Sequence, residues 1–124
     1  MTKAVIVGFV FHRGHDVLME FCWNYATRVT EIKRNKPKNE RKLRLRLLQI
    51  IPEHRLPPAL VRARVAFNKA YEALVDYDKA RVAYREARDA CTPEIEKLHQ
   101  ELCLNCPWDG QTIFSRKDKD GNWY

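Results

Sequence analysis

The chain has 124 residues, of which 45% are apolar, and a formal net charge of +7. This length and composition predict one compact domain over residues 1–124. The longest apolar run, Ala4 to Phe11, is much shorter than the ~20 residues of a membrane span, and no small-residue cleavage site follows it. We therefore predict no membrane segment and no signal peptide. The four cysteines then indicate a cytoplasmic setting, in which thiols stay free or bind metal.

The N-terminal residues predict a strand and then a helix. Residues 3–11 are rich in β-branched and aromatic side chains, which is typical of a buried strand. A translation start at Met19 is an alternative that would remove this strand. Apolar residues at spacings of four and three then predict a helix over about 17–33, capped by Asp16. These residues are Leu18, Cys22, Tyr25, Val29 and Ile32.

The turn between these two elements contains a His-Asp dipeptide, formed by His15 and Asp16, with His12 close by. Such a dipeptide suggests a metal-dependent phosphohydrolase. However, the further ligands that such an enzyme needs on later helices have no clear counterpart. The sequence also contains no Gly-rich phosphate loop and no nucleophile elbow. We therefore expect a protein that is not an enzyme.

The next segment carries the positive charge. From Arg28 to Arg46, nine basic residues accompany two acidic ones, a net of +7 that equals the net charge of the whole chain. Residues 39–51 predict a second helix, although the alternation of leucine and arginine from Leu43 to Leu47 also fits a strand.

Clustered guanidinium and ammonium groups neutralise phosphates and release counterions. The segment therefore predicts a site for nucleic acid or for a nucleotide phosphate, with a solvated basic surface as the alternative. No aromatic residue lies between Ile32 and Ile51, so the segment itself does not support stacking on single-stranded bases. The predicted site residues are Lys33, Arg34, Lys36, Lys38, Arg41, Lys42, Arg44 and Arg46.

A repeat between Ala59 and Cys91 organises the rest of the fold. Alanine recurs every seven residues, and a second small or aromatic residue follows each alanine by four. This spacing predicts one long helix over about 58–91 whose seam faces a helical partner. The positions are Ala59, Ala63, Ala66, Ala70, Ala73, Tyr77, Ala80, Tyr84, Ala87 and Cys91. Apolar residues outside the seam allow a protein partner or a homodimer.

The C-terminal part predicts a short helix and two turns. Thr92 and Pro93 are typical of a helix start, here over 93–102. Residues 103–124 predict a knuckle and a hairpin, which would pair with the N-terminal strand. The predicted fold is therefore mainly α: a helical hairpin or three-helix core built on the helix over 58–91, with a small β element.

His99, Cys103 and Cys106 have the spacing H-x3-C-x2-C, which is typical of a tetrahedral metal site at a helix end. Cys91 is the expected fourth ligand if the chain folds back at Thr92 and Pro93. We predict structural zinc, because four protein ligands leave no position for water. The alternative is that the cysteines are small apolar residues. A redox role is less favoured, since no βαβ pattern surrounds the CxxC pair.

The segments RLRLLQIIP and CPWDGQTIF, together with the alanine and tyrosine repeat, resemble a family of small phage and metagenomic proteins over roughly residues 31–114. That family has no assigned activity, so the resemblance implies a phage-type origin and a location in the host cytoplasm. The sequence thus predicts a non-enzymatic protein that binds nucleic acid or a nucleotide. The alternative is an interaction module that inhibits or adapts a host or defence protein.

Overall fold

The computed structural model describes residues 7–73 and 77–124. Its mainly α architecture with a small β element agrees with the predicted fold class. The chain divides into two compact units, one formed by residues 7–51 with 99–124 and the other by Pro52–Leu98. Among the described helices, none combines the length and apolar character needed to cross a membrane. The elements are β1 (Gly8–Phe11), β2 (Met19–Cys22), α1 (Tyr25–Asn35), α2 (Lys38–Leu47), β3 (Gln49–Ile50), a 3-10 turn (Glu53–Arg55), α3 (Pro58–Ala73), α4 (Tyr77–Ala90) and α5 (Thr92–Leu102).

The first unit contains an antiparallel sheet with β1 at its centre, in the order β2-β1-β3. The helix predicted over about 17–33 is therefore wrong in its first part, because Met19–Cys22 forms a strand. Phe21 pairs with Phe9 in the register, and their rings pack edge to face at 5.4 Å. The helix begins later because the Asn24 side chain accepts a hydrogen bond from the Thr27 amide and caps α1.

The second predicted helix, over residues 39–51, is too long at its C-terminal end, because its last residues pair with the other edge of β1. α2 ends at Leu47 rather than at residue 51, and β3 follows it. The amide of Ile51 donates to the carbonyl of Phe9 at 2.9 Å, which extends the pairing of β3 with β1 by one residue. The described part of the predicted N-terminal strand, Gly8–Phe11, thus pairs with β2 and β3 and not with the C-terminal hairpin; residues 3–6 of that prediction lie outside the described residues. α1 and α2 cover one face of the sheet around Val10 and Ile32.

The second unit contains a hairpin of α3 and α4. The rings of Phe67 and Tyr84 lie 5.6 Å apart, whereas one continuous helix would separate these residues by about 25 Å. The single long helix predicted over about 58–91 is therefore wrong. Two shorter helices bury their apolar sides against each other, which a lone rod of that length cannot do. Residues 74–76 of that prediction lie outside the described residues.

The hairpin follows the predicted repeat only in part: Ala63 and Ala70 of α3 are half-buried, whereas Tyr77 of α4 is exposed. Tyr84 and Cys91 are buried as the spacing predicts. In α3, Leu60 is fully buried while Ala59 and Ala66 are exposed. Leu60 and Phe67, which each follow one of these alanines, face the seam instead, because leucine and phenylalanine bury more apolar area than alanine.

The remaining elements agree more closely with the sequence. α5 (Thr92–Leu102) matches the helix predicted over 93–102. In the segment after it, Gly110 and Gly121 have φ angles of +101° and +85°, which only glycine adopts readily, as the predicted turns require. An isolated antiparallel bridge joins Lys117 and Trp123.

Candidate metal centre

His12 stands directly after β1 and points into the protein. Its exposed fraction is 2%, and its backbone φ of +50° lies in the left-handed region that few residues adopt. The backbone carbonyl of Val17 accepts a hydrogen bond from Nδ1 at 3.1 Å. Because a carbonyl only accepts, the ring proton lies on Nδ1. Nε2 therefore carries the lone pair, which is the form in which a histidine binds a metal.

The other three residues come from the end of α5 and the loop after it. The amide of Cys103 donates to the carbonyl of His99 at 2.8 Å, which keeps both on the last helical turn. Asn105 then takes a left-handed conformation, with a φ of +54°, and turns the chain so that Cys106 faces the same point. Asparagine is among the residues that accept this conformation most readily.

The four side chains meet at one point. Nε2 of His12 lies 2.8 Å from Nε2 of His99 and 3.3 Å from Sγ of Cys106. The four ligand atoms, including Sγ of Cys103, lie within 4.8 Å of one another. A tetrahedral zinc ion places its nitrogen and sulfur ligands about 3.3–3.8 Å apart, as follows from its bond lengths. The shortest separation, 2.8 Å between the two Nε2 atoms, lies below this range and the upper limit of 4.8 Å lies above it, so small side-chain shifts bring the four atoms to the spacing of a tetrahedral ion.

Aromatic rings shield this group from water. The ring of Phe11 packs edge to face on His99 at 5.1 Å, and the ring of Trp108 lies 5.2 Å from His12. An apolar shell strengthens metal–ligand bonds and limits access of water. Three of the four ligand residues are buried, and Cys106 is partly buried.

One hydrogen bond joins Cys103 and Cys106 and gives the two thiols different pKa values. The Cys103 thiol donates to Cys106 and thereby holds the pKa of Cys106 well below its usual range. The same hydrogen bond, together with burial, raises the pKa of Cys103. Cys106 is therefore the preferred thiolate, the form that binds metal.

Three of the four predicted ligands belong to this group, but His12 takes the place of Cys91. Cys91 lies within continuous helical hydrogen bonding, since its amide donates to Ala87 and its carbonyl accepts from Ile95. The corner that would fold this thiol back therefore does not exist. Burial raises the pKa of Cys91, and the Glu94 carboxylate raises it further.

His12 was missed because 87 positions separate it from His99. The signal in the sequence was a histidine directly after an apolar strand. The other two residues of the His-Asp turn, which had suggested a phosphohydrolase, lie outside this group. His15 is exposed and stacks on Phe114, and Asp16 is exposed as well.

The fold separates the eight predicted phosphate-binding residues into two groups. Arg44 is buried and pairs with Glu40 at 2.8 Å, so its inclusion in an exposed site is corrected. Arg41 donates to the carbonyl of Lys36 at 2.7 Å, and both residues are partly buried. The exposed cations are Lys33, Arg34, Lys38, Lys42 and Arg46.

The two acidic residues of the segment from Arg28 to Arg46 each form an ion pair with an arginine. Glu40 pairs with Arg44, and Glu31 pairs with the buried Arg28 at 2.9 Å. Within the described residues, neither Lys38 nor Lys42 forms an ion pair. The exposed cations therefore present an unopposed positive surface.

Two histidine nitrogens and two cysteine sulfurs form the donor set that suits a tetrahedral metal ion such as zinc. With four protein ligands, no coordination position stays open for a substrate or a reactive water. Comparison with known proteins gives no further guide, since no family model, curated protein or solved structure matches this chain.

Proposed function

We propose that this chain is a non-enzymatic binding protein that is stabilised by zinc and binds the phosphates of nucleic acid. The observation that carries the zinc assignment is the convergence of His12, His99, Cys103 and Cys106. The closed donor set supports a structural role for the ion. A phage-type origin and a cytoplasmic location, where thiols stay reduced, complete the proposal.

Metal analysis of protein purified without added metal tests the zinc assignment. We expect about one zinc ion per chain, as a closed four-ligand site binds a single ion. His12→Asn is the sharpest variant, because asparagine tolerates the left-handed backbone while the imidazole is removed. We expect His12→Asn and Cys106→Ser to lose most of the zinc, and the visible absorption of tetrahedral Co²⁺ to disappear with it.

Cys91→Ser is the matched control, because it removes a buried thiol outside the group. Its zinc content should equal that of the unmodified protein. Substoichiometric zinc that His12→Asn leaves unchanged would refute the assignment. Loss of zinc in Cys91→Ser, with circular dichroism unchanged, would restore Cys91 as a ligand.

The unopposed exposed cations of α1 and α2 support the second part of the proposal. Anisotropy of a labelled random-sequence oligonucleotide, titrated at several salt concentrations, measures it. Replacing Lys33, Arg34, Lys38 and Lys42 with glutamine removes four charges that lie exposed on these helices. We expect affinity to fall at least tenfold, and the slope of log K against log salt to decrease in magnitude by about 3 for a single strand.

A second quadruple variant controls for net charge. Arg62, Lys69, Lys79 and Arg85 are exposed on the hairpin of the second unit, and their replacement by glutamine removes the same charge. This control should bind within about threefold of the unmodified protein, because these residues belong to the other unit and not to the proposed phosphate-binding surface. Equal losses in both quadruple variants would show that net charge, not this surface, governs binding.

A protein partner is the second candidate, because Val65, Tyr71 and Val82 remain 46–54% exposed on the hairpin. A host or defence protein captured from lysate after nuclease treatment would favour it. The capture should then be lost in a Val65→Ser, Val82→Ser double variant and persist in the first quadruple glutamine variant. The reverse pattern would favour nucleic acid.

A further inference from the structure

The exposed cations of α2 form one stripe. Lys38, Lys42 and Arg46 follow one another at a spacing of four residues, which places them on the same side of a helix. The stripe extends about 12 Å along the helix axis, given the rise per residue.

The C-terminal segment, residues 103–124, lies along this helix. The amide of Trp123 donates to the carbonyl of Asn39 at 3.0 Å, and the Asn39 side chain donates to the carbonyl of Gly121 at 3.1 Å. These bonds hold the segment at the beginning of α2.

The same segment also reaches the end of the stripe. The carbonyl of Asn105 accepts hydrogen bonds from Arg46 at 3.3 Å and from Arg116 at 3.2 Å. Two guanidinium groups are thus brought together on one oxygen. In the described part of the chain, no carboxylate pairs with either of them. This arrangement favours the approach of an anion such as phosphate.

An aromatic ring lies beside Arg116. The guanidinium carbon of Arg116 is 5.3 Å from the centre of the Tyr124 ring, and Tyr124 is 51% exposed. The basic segment itself contains no aromatic residue, so the fold supplies the ring from the far end of the sequence. Exposed rings next to clustered cations are the combination that binds single-stranded nucleic acid, through base stacking and phosphate contacts.

We infer that the ligand is single-stranded nucleic acid, with its phosphates on the stripe and on Arg116 and with one base stacked on Tyr124. This inference rests on the proposed function and adds the class of nucleic acid. A duplex offers its phosphates to the stripe, but its paired and stacked bases cannot stack on Tyr124.

Anisotropy with a labelled oligothymidine and with a duplex of equal length, at one salt concentration, tests this inference. Tyr124→Ala should weaken binding of the single strand about tenfold, in keeping with the loss of one stacked base, and leave binding of the duplex unchanged. Tyr124→Phe should retain affinity, because it keeps the ring. Tyr71→Ala is the matched control, since Tyr71 is exposed to a similar extent, 54% against 51%.

The outcomes separate the two proposals. If neither oligonucleotide responds to the replacement of Lys33, Arg34, Lys38 and Lys42, the proposed function itself fails. If both respond to that replacement but Tyr124→Ala changes neither, or weakens both equally, the single-strand inference is overturned and the proposed function stands.

Discussion

Lys42 and Arg44 are close neighbours in the basic segment, and they lie on different sides of α2. Lys42 is exposed, whereas Arg44 is 6% exposed. Arg44 pairs with Glu40, and its guanidinium carbon lies 5.1 Å from the centre of the Phe114 ring. Charge counts alone cannot distinguish these residues, because the distinction comes from burial.

Arg44→Ala should reduce the free energy of unfolding by about 3 kcal/mol, because it leaves the carboxylate of Glu40 partly buried without its partner. Lys42→Ala, in contrast, should change stability by less than about 0.5 kcal/mol, as is usual for an exposed substitution. Urea denaturation at neutral pH measures both values.

Oligonucleotide binding of the same two variants should show the opposite order. Lys42→Ala should weaken it, and Arg44→Ala should leave it unchanged when measured well below its unfolding midpoint. A stable Arg44→Ala variant with weakened binding would instead place Arg44 on the nucleic-acid surface.

At the scale of the elements, the heptad-like repeat predicted helix correctly but did not show where the helix ends. A 4-3 spacing suits a long rod that packs on another chain, and it equally suits two short helices that pack on each other. The repeat therefore establishes a seam. The choice between these arrangements depends on how much apolar area each buries, which no local pattern records.

Leu60→Ala tests the observed seam of the hairpin. Leu60 has an exposed fraction of 0%, so the loss of its side chain should reduce stability by about 3 kcal/mol, within the range for buried leucines. Val65→Ala, on the 47% exposed side of the same helix, should cost less than about 0.5 kcal/mol. Chemical denaturation measures both. Equal losses would show that the two helices do not pack through Leu60.

Local signals also explain which elements were predicted. Pro93 correctly indicated the first turn of α5, although the Thr92 hydroxyl donates to the carbonyl of Arg88 and does not cap the helix. The spacing of His99, Cys103 and Cys106 located most of the candidate metal site. β2 was missed because its residues also fit a helical spacing, and only pairing with β1 selects the strand. His12 and Tyr124 were missed for a related reason, since their partners are distant in sequence and meet only in the fold.

For the molecule as a whole, the proposed metal centre would act as a cross-link. It joins His12, after the first strand, to His99, which lies 87 residues later. A link that closes so long a loop restricts the unfolded chain and stabilises the fold by roughly 3–5 kcal/mol, by analogy with a disulfide.

Removal of the metal by a strong chelator should therefore lower the melting temperature by about 10 °C, given the usual shift per kcal/mol for a chain of this size. Differential scanning calorimetry with and without chelator measures the change. His12→Asn should melt at the lower temperature and should not respond to the chelator. An unmodified protein that holds zinc but melts at the same temperature with chelator would contradict a stabilising role.

The metal centre and the basic stripe meet at Asn105. This residue lies between Cys103 and Cys106, and its carbonyl holds the guanidinium groups of Arg46 and Arg116. Binding of a metal fixes the two cysteines, and so it also fixes the oxygen that orients both arginines. The stripe residues Lys38 and Lys42 do not depend on this oxygen, because they lie in the first two turns of α2.

We therefore expect chelation to weaken single-strand binding about fivefold, the effect of losing about 1 kcal/mol, the net value of one hydrogen bond, at a temperature where the metal-free protein remains folded. Binding of the duplex should change less, because the lysines of the stripe stay in place. Anisotropy of both oligonucleotides before and after chelation, and after zinc is restored, measures this coupling. In Arg116→Gln the effect of chelation should be much smaller, since one of the two arginines held by Asn105 is already absent. An equal chelator effect in Arg116→Gln and in the unmodified protein would show that the metal acts on binding through general stability rather than through Asn105.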